Sequence, residues 1–157
     1  MSNAITIRAA TAADIPFLVD CNAAMALETE HKTLDRQLLT RGTEAVFADP
    51  RRGFYRVAER DGVAVGSLMV SYEWSDWRNG DWWWIQSVYV TPQARRSGVF
   101  SALYADTESR ARATAAVVGL RLYVENENHD AQATYASLGM RDAGYRMLQT
   151  GFIDFTA

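Results

Sequence analysis

Residues 82–113 read WWWIQSVYVTPQARRSGVFSALYADTESRARA, and the character of the sequence changes midway along this stretch. Residues 82–90 are rich in aromatic and β-branched side chains, which predicts a strand. Beyond Gly98, one largely apolar face recurs at helical spacing, formed by Phe100, Leu103, Tyr104, Thr107 and Ala111. We expect the charged residues of this helix to point outward: Asp106, Glu108, Arg110 and Arg112. The stretch therefore predicts a strand, a short turn and a helix.

A second strand is predicted after this helix. Gly119 interrupts the helical pattern, and Leu120–Glu125 alternates between apolar and polar residues. A strand, a helix and a strand in succession form a crossover, which makes the two strands parallel neighbours. Ligands of such sheets bind at the carboxyl ends of the parallel strands. The end of the first strand and the turn behind it are therefore the candidate site.

The elements around this crossover predict the rest of the fold. Three strands joined by short turns, which should be antiparallel, are Phe54–Glu59, Val63–Tyr72 and Trp82–Val90. Further elements are a strand at Ile5–Arg8, a helix from the capping-box pattern Thr11–Asp14 to about Glu28, helices at residues 35–48 and 130–138, and a closing strand at Tyr145–Phe155. The element order is β-α-α-β-β-β-α-β-α-β. We expect an α+β fold in one domain, residues 1–157, with a mixed sheet of about six or seven strands and about four helices.

Composition narrows the classes of function. The chain has 157 residues, a hydrophobic content of 48% and a net charge of −3, so no basic surface for nucleic acid is expected. A single cysteine, Cys21, excludes an internal disulfide and a multi-cysteine zinc site, and it lies in an apolar helical pattern typical of a core residue. No metal is expected from the isolated His31 and His129. The sequence shows neither a secretory signal nor a membrane span, so a cytoplasmic protein is expected.

The turn itself has two interpretations. Gly98 would let the backbone approach a ligand closely, and the N–H groups of Ser97 to Ser101 would lie at the start of a helix, which attracts anions. Arg95 and Arg96 would add donors suited to phosphate. A solvated basic turn that caps a helix is the alternative, and local chemistry alone does not separate the two.

Two motifs lie at and beyond the predicted turn. The first is Arg95-Arg96-Ser97-Gly98-Val99-Phe100, and the second comprises Asn128, Ala131, Tyr135, Gly139 and Met140. They resemble motifs A and B of the GCN5-related N-acetyltransferases. Motif A reads Arg/Gln-x-x-Gly-x-Gly/Ala, and Phe100 replaces its final small residue. The two motifs occur in order and, with the predicted elements, cover nearly the whole chain.

The resemblance implies acetyl-CoA as the cofactor. Pantetheine would lie along a strand that splays from its parallel neighbour, bound by the backbone of Val88, Tyr89 and Val90. The pyrophosphate would be held largely by main-chain N–H groups of Arg95, Arg96, Ser97, Gly98, Val99, Phe100 and Ser101. Phe100 would be harmless if its side chain points into the core. Asn128 would bind cofactor or orient the start of a helix.

The resemblance also implies the chemistry of transfer. Tyr135 would donate a proton to the departing thiolate, and the alternative is a packed aromatic side chain on an amphipathic helix. Where many relatives carry a glutamate base, this chain has Gln86, which cannot take up a proton. A water chain, a carboxylate from Glu28 or Glu30, or an acceptor with a low amine pKa would have to serve. Glu28 and Glu30 are otherwise expected at a solvated helix end.

The tryptophans are the most individual feature of the sequence: Trp74, Trp77, Trp82, Trp83 and Trp84. Strand alternation predicts Trp82, Trp84, Gln86 and Val88 on one face. The opposite face would carry Trp83, Ile85, Ser87 and Tyr89. Hairpin packing or a homodimer contact is one interpretation, and a wall beside the acceptor amine, led by Trp84, is the other.

We therefore expect an acetyl-CoA-dependent N-acetyltransferase. It would transfer the acetyl group directly, within a ternary complex, to a primary amine of a small molecule or a peptide. A non-catalytic acyl-CoA binder or sensor is one alternative, and a protein N-terminal or lysine acetyltransferase is another.

Overall fold

The computed structural model describes residues 4–157, and the contacts within it divide them into two units. The first unit comprises the described residues up to Arg121 together with Phe155–Ala157. The second unit is Leu122–Asp154.

A five-stranded sheet forms the centre of the first unit. Its strands, in both chain order and spatial order, are β1 (Ile5–Ala9), β2 (Phe54–Arg60), β3 (Val63–Ser75), β4 (Gly80–Val90) and β5 (Val117–Arg121). Neighbouring strands are antiparallel except β4 and β5, which are parallel. The predicted mixed sheet with one parallel junction is thus confirmed.

Helices cover both faces of this sheet. The helices of the first unit are α1 (Ile15–Glu30), α2 (Arg36–Ala48) and α3 (Val99–Ala113). Leu18 of α1 and Val46 of α2 share a core cluster with Tyr55 of β2, which marks one face. Arg56, the next residue of β2, contacts α3 and marks the opposite face. In the second unit, α4 (His129–Ser137) is the one helix, and Gly139 follows it with a φ of +91°, as expected for a helix-terminating glycine.

Two strand predictions were wrong. The described residues contain five strands rather than about six or seven, because Tyr145–Phe155 forms none, and Thr156 makes only an isolated bridge to Leu34. A strand needs a partner ladder, and the second unit contains no strand that could supply one. The strand predicted at Leu120–Glu125 is β5 at Val117–Arg121.

Gly119 lies inside β5 rather than ending a helix. A Cβ atom at this position would lie 2.5 Å from Cζ3 of Trp82, so only glycine leaves room for the indole ring over the strand. The glycine therefore reports close packing between parallel strands.

Asp106 was expected to point outward, and it instead faces the sheet. Its carboxylate accepts hydrogen bonds from Arg56, with Nε–Oδ2 at 2.8 Å and Nη2–Oδ1 at 3.2 Å. Arg56 is only 4% exposed, so its charge requires a partner on α3. The helix is therefore bound to the sheet by a nearly buried ion pair.

Removing this partner tests the packing of α3. We expect Asp106→Ala to lower the free energy of unfolding by about 2 kcal/mol, because it leaves the buried Arg56 guanidinium without its counter-charge. Glu108→Ala is the matched control: Glu108 pairs with Arg112 on the exposed side of the same helix, and its loss should cost less than about 0.5 kcal/mol. Urea denaturation measures both values, and equal effects would contradict the assignment.

Candidate active site

The parallel strands β4 and β5 separate partway along β4. Their pairing runs from Asp81 with Val117 to Trp84 with Arg121, where β5 ends. β4 continues to Val90 with β3 as its neighbour on one side. Within the first unit, residues 85–90 therefore have no strand on their other edge. An open edge of this kind can pair with an extended ligand through main-chain hydrogen bonds.

A β-bulge interrupts this open part of β4. Gln86 pairs with Met69 and Tyr89 pairs with Ser67, so three steps along β4 match two steps along β3. Ser87 has a φ of +51°, the left-handed conformation that a non-glycine residue rarely adopts. Bulges of this type re-aim backbone and side chains beside functional sites.

The bulge corrects the predicted faces of β4. Cross-strand partners share a face, so Tyr89, opposite Ser67, lies on the face of Gln86, opposite Met69. The alternation had placed Tyr89 with Trp83 and Ile85. The extra residue shifts the period by one position, and the Tyr89 side chain consequently faces α1 rather than α3.

Tyr89 joins a network with Glu28 and Arg95. The Tyr89 hydroxyl donates to Oε1 of Glu28 at 2.8 Å, and Nη2 of Arg95 donates to Oε2 of the same carboxylate at 2.7 Å. Arg95 Nε also donates to the carbonyl oxygen of Val90 at 3.1 Å, and its guanidinium lies 5.4 Å from the centre of the Tyr89 ring. The end of α1 is thereby connected to the end of β4.

This network fixes the charge of Glu28. The hydrogen bond from Tyr89 and then that from Arg95 hold the pKa of the Glu28 carboxyl below its usual range. Burial, followed by the bond to Glu28, raises the pKa of Tyr89. Glu28 is therefore an ionised carboxylate held by two hydrogen bonds, and its side chain remains 41% exposed at the end of α1. Glu30 instead has a side chain that is 55% exposed and lies 3.6 Å from the Lys32 ammonium.

The turn between β4 and α3 has an unusual backbone. Arg96 has a φ of +57° and Gly98 a φ of +84°, both left-handed. A Cβ atom at Gly98 would meet no atom within 4 Å, so the space beside this glycine is open. None of the described side chains caps the N-terminus of α3, which leaves its first N–H groups available for an anion.

The side chains of this turn differ in their contacts. The Ser97 hydroxyl accepts from Arg60 Nη2 at 2.8 Å and donates to the carbonyl oxygen of Ala94. Within residues 4–157, no hydrogen bond or ion pair involves the exposed Arg96 guanidinium. Phe100 is half-buried, and its ring lies 6.2 Å from that of Tyr104 one turn along α3. The Phe100 side chain therefore packs beside Tyr104 on α3. Its neighbour Val99 is buried, and Ser101 is exposed.

The tryptophans fall into different environments. Trp83 is 8% exposed and packs against Phe54 and Tyr72, so it belongs to the core. The ring of Trp82 lies 4.0 Å from the Arg121 guanidinium. Trp84 is half-buried on the same face as Gln86, whose side-chain amide donates to Ser71. Trp74 and Trp77 are exposed at the end of the β3–β4 hairpin.

The motif B residues lie in the second unit. The Asn128 side chain accepts a hydrogen bond from the Ala131 N–H at 3.2 Å and so caps α4, the helix-orienting role anticipated for it. Tyr135 is half-buried on the same helix, and burial raises the pKa of its hydroxyl. Main-chain N–H groups of Leu138 and Met140 donate to the Tyr135 carbonyl oxygen and close the helix end.

Other features of the described residues do not add to this site. An open cleft of about 550 Å³ in the first unit is lined by Phe47, Phe54 and Trp83 among others, and by none of the predicted site residues. Cys21 is buried, and burial raises the pKa of its thiol to about 11. Across residues 4–157, no cluster of three or more His, Cys, Asp or Glu side chains could hold a metal ion. None of the described helices is long and apolar enough to cross a membrane.

Sequence reasoning missed the bulge, the Tyr89 network and the Arg60–Ser97 contact. All three depend on residues that are far apart in the chain, and Ser87 carries no local signal for a left-handed conformation. Glu28 and Arg95 lie 67 positions apart in the chain, so no sequence motif indicates that they pair.

Comparison with known proteins identifies a matching family and similar solved structures. The model of the acetyltransferase (GNAT) family matches residues 20–140. The crystal structure of a possible acetyltransferase from Clostridium difficile 630 has 43% sequence identity and a TM-score of 0.89, covering 96% of this chain and 99% of that one. A predicted acetyltransferase with acetyl-CoA from Clostridium acetobutylicum has 16% identity and a TM-score of 0.77, covering 94% and 96% of the two chains. No curated protein matches the sequence.

Proposed function

Because the chain belongs to the acetyltransferase (GNAT) family, which uses acetyl-CoA, we propose that it transfers an acetyl group to a primary amine. The observation that carries this proposal is the continuous path from the open edge of β4, through its bulge, to the uncapped start of α3. An edge for an amide-bearing chain thus leads directly into a turn suited to phosphate.

The cofactor-binding residues divide by chemistry. The backbone of Val88, Tyr89 and Val90 would pair with the pantetheine arm, and N–H groups beside the bulge would stabilise negative charge on the acyl oxygen. The N–H groups of residues 97–101 would bind the pyrophosphate, with Arg96 as the charged donor. The side chain of Arg95 is engaged by Glu28, so we assign only its main chain to the cofactor. The open space at Gly98 fits a phosphate approaching the backbone.

Tyr135 would supply the proton that the departing thiolate requires. Acetyl-CoA provides the thioester whose acyl carbon the amine attacks. Because burial raises the pKa of Tyr135 above its ordinary value near 10, its hydroxyl keeps its proton at neutral pH and can act as a general acid.

The acceptor amine would lie on the α1 side of β4. Gln86 and Trp84 share this face with Tyr89, whose hydroxyl contacts Glu28. A carboxyl with a lowered pKa is a weak base, so we assign Glu28 to attracting an ammonium group, with Glu30 as a more exposed second carboxylate. The amine would then lose its proton to water before attack.

Trp84→Ala tests the acceptor wall. We expect the KM for the amine to rise about tenfold, because an aromatic face that contacts a cation contributes about 1 kcal/mol or more. The KM for acetyl-CoA should stay unchanged. Trp77→Ala is the control, since Trp77 is 84% exposed at the hairpin end. A loss of stability without a change in the amine KM would assign Trp84 to the core instead.

A binding assay and a turnover assay together test the function. Calorimetry should show acetyl-CoA binding, and a thiol-release assay should show turnover on part of a panel containing small amines, peptides with free N-termini and peptides with lysine. Turnover on peptides alone would favour a protein acetyltransferase. Binding without turnover on any acceptor would favour the non-catalytic alternative, which Gln86 in place of a base supports.

A further inference from the structure

Arg60 connects the end of β2 to the turn before α3. Its Nη2 donates to the Ser97 hydroxyl at 2.8 Å across 37 residues of sequence, and Ser97 in turn donates to the Ala94 carbonyl oxygen. Ser97 therefore bridges a strand of the sheet and the first part of the turn. Neither motif of the sequence includes Arg60.

The turn needs such a connection because its backbone is strained. Ser97 lies between Arg96 and Gly98, whose φ values are +57° and +84°. A left-handed conformation at a non-glycine residue costs on the order of 1 kcal/mol and persists only where surrounding contacts hold it. Backbone in which left-handed residues alternate with residues of other conformation turns successive N–H groups toward a common point, which is how backbone forms an anion-binding concavity.

The Arg60 side chain has no polar partner other than Ser97 among the described residues. Its Nε atom is buried and has no hydrogen-bond partner among the described residues. The neighbouring Glu59 pairs with Arg8 instead. Within residues 4–157, the Arg60 guanidinium thus makes one hydrogen bond, to the Ser97 hydroxyl, and no ion pair.

We propose that Arg60 is a positioning residue for the nucleotide end of the cofactor. It acts through Ser97, holding the turn in the conformation that presents the N–H groups of residues 97–101. The inference rests on the proposed use of this turn for the pyrophosphate. It separates Arg60, which would shape the turn, from Arg96, which would contact phosphate.

A double-mutant cycle tests this role. Arg60→Met and Ser97→Ala should each raise the dissociation constant for coenzyme A about fivefold, and the double variant should stay near fivefold because both changes break one connection. In Arg60→Met the KM for acetyl-CoA should rise in parallel, whereas kcat and the KM for the amine should not change. Arg51→Met is the control, since Arg51 is exposed and, among the described residues, pairs with Asp49 alone.

The outcomes are distinct. An additive double variant, about 25-fold weaker, would mean that Arg60 contacts the cofactor directly and would overturn the positioning role. Normal affinity in Arg60→Met would also overturn it, and Ser97→Ala gives the same test should Arg60→Met not fold. If the wild-type protein does not bind coenzyme A, the proposed function fails and the inference falls with it. Wild-type binding with unchanged variants removes the inference alone.

Discussion

Gly98→Glu is expected to abolish coenzyme A binding, raising the dissociation constant at least about 1000-fold. Gly98 has a φ of +84°, which a glutamate adopts only with strain. Its Cβ would project into space where, among the described residues other than its two chain neighbours, no atom lies within 4 Å, so the new carboxylate would occupy the place proposed for the phosphates. Repulsion between like charges and steric exclusion therefore act together. Calorimetry measures the loss.

Two variants separate strain from the loss of the site. Gly98→Ala carries the strain and a single methyl group, and it should weaken binding about tenfold or less. Gly144→Glu is the matched control: Gly144 has a φ of +78° and similarly open space, but it lies outside the predicted site residues. Normal affinity in Gly98→Glu would contradict a cofactor site at this turn.

The arginines of motif A illustrate how far sequence reasoning reached. Arg95 and Arg96 were both expected to serve as phosphate donors, and their adjacency offered no means of distinguishing them. The structure turns the Arg95 side chain toward Glu28 and the Val90 carbonyl oxygen, and leaves Arg96 exposed. Two adjacent side chains with different backbone conformations diverge, and φ at Arg96 is set by the turn as a whole.

The order of elements was predictable because it depends on local periodicity. The period of two in β4 and the helical spacing of α3 each lie within one short stretch, and the crossover between parallel strands follows from their succession. The bulge at Ser87 was not predictable, since it arises from the register between β3 and β4. That single extra residue decides that Tyr89 faces α1.

At the C-terminal stretch, the sequence predicts a strand that the structure does not contain. Tyr145–Phe155 has the apolar content of a strand, and yet large side chains such as Leu148 and Phe152 are exposed and no ladder forms. Strand propensity measures how well a side chain fits a pleated, half-buried surface. Because the second unit contains no neighbouring strand, these residues have no sheet surface on which to pack.

Tyr135→Phe is expected to lower kcat about 100-fold while leaving the affinity for acetyl-CoA nearly intact. The substitution keeps the ring and its packing on α4 and removes only the hydroxyl proton. Because the pKa of Tyr135 lies above its ordinary value near 10, the wild-type hydroxyl is protonated at neutral pH. Its kcat should fall only as strongly alkaline pH removes that proton, and the variant should lack this alkaline decline.

Tyr145→Phe is the control for this comparison, since Tyr145 is an exposed tyrosine of the same unit. Thiol release at saturating acetyl-CoA gives kcat, and calorimetry gives the affinity. A general acid that acts only on the departing thiolate changes the chemical step and not cofactor binding, so kcat and the dissociation constant must respond differently. Equal turnover in Tyr135→Phe and the wild type would remove the acid role, and a parallel loss of affinity would assign the hydroxyl to cofactor binding.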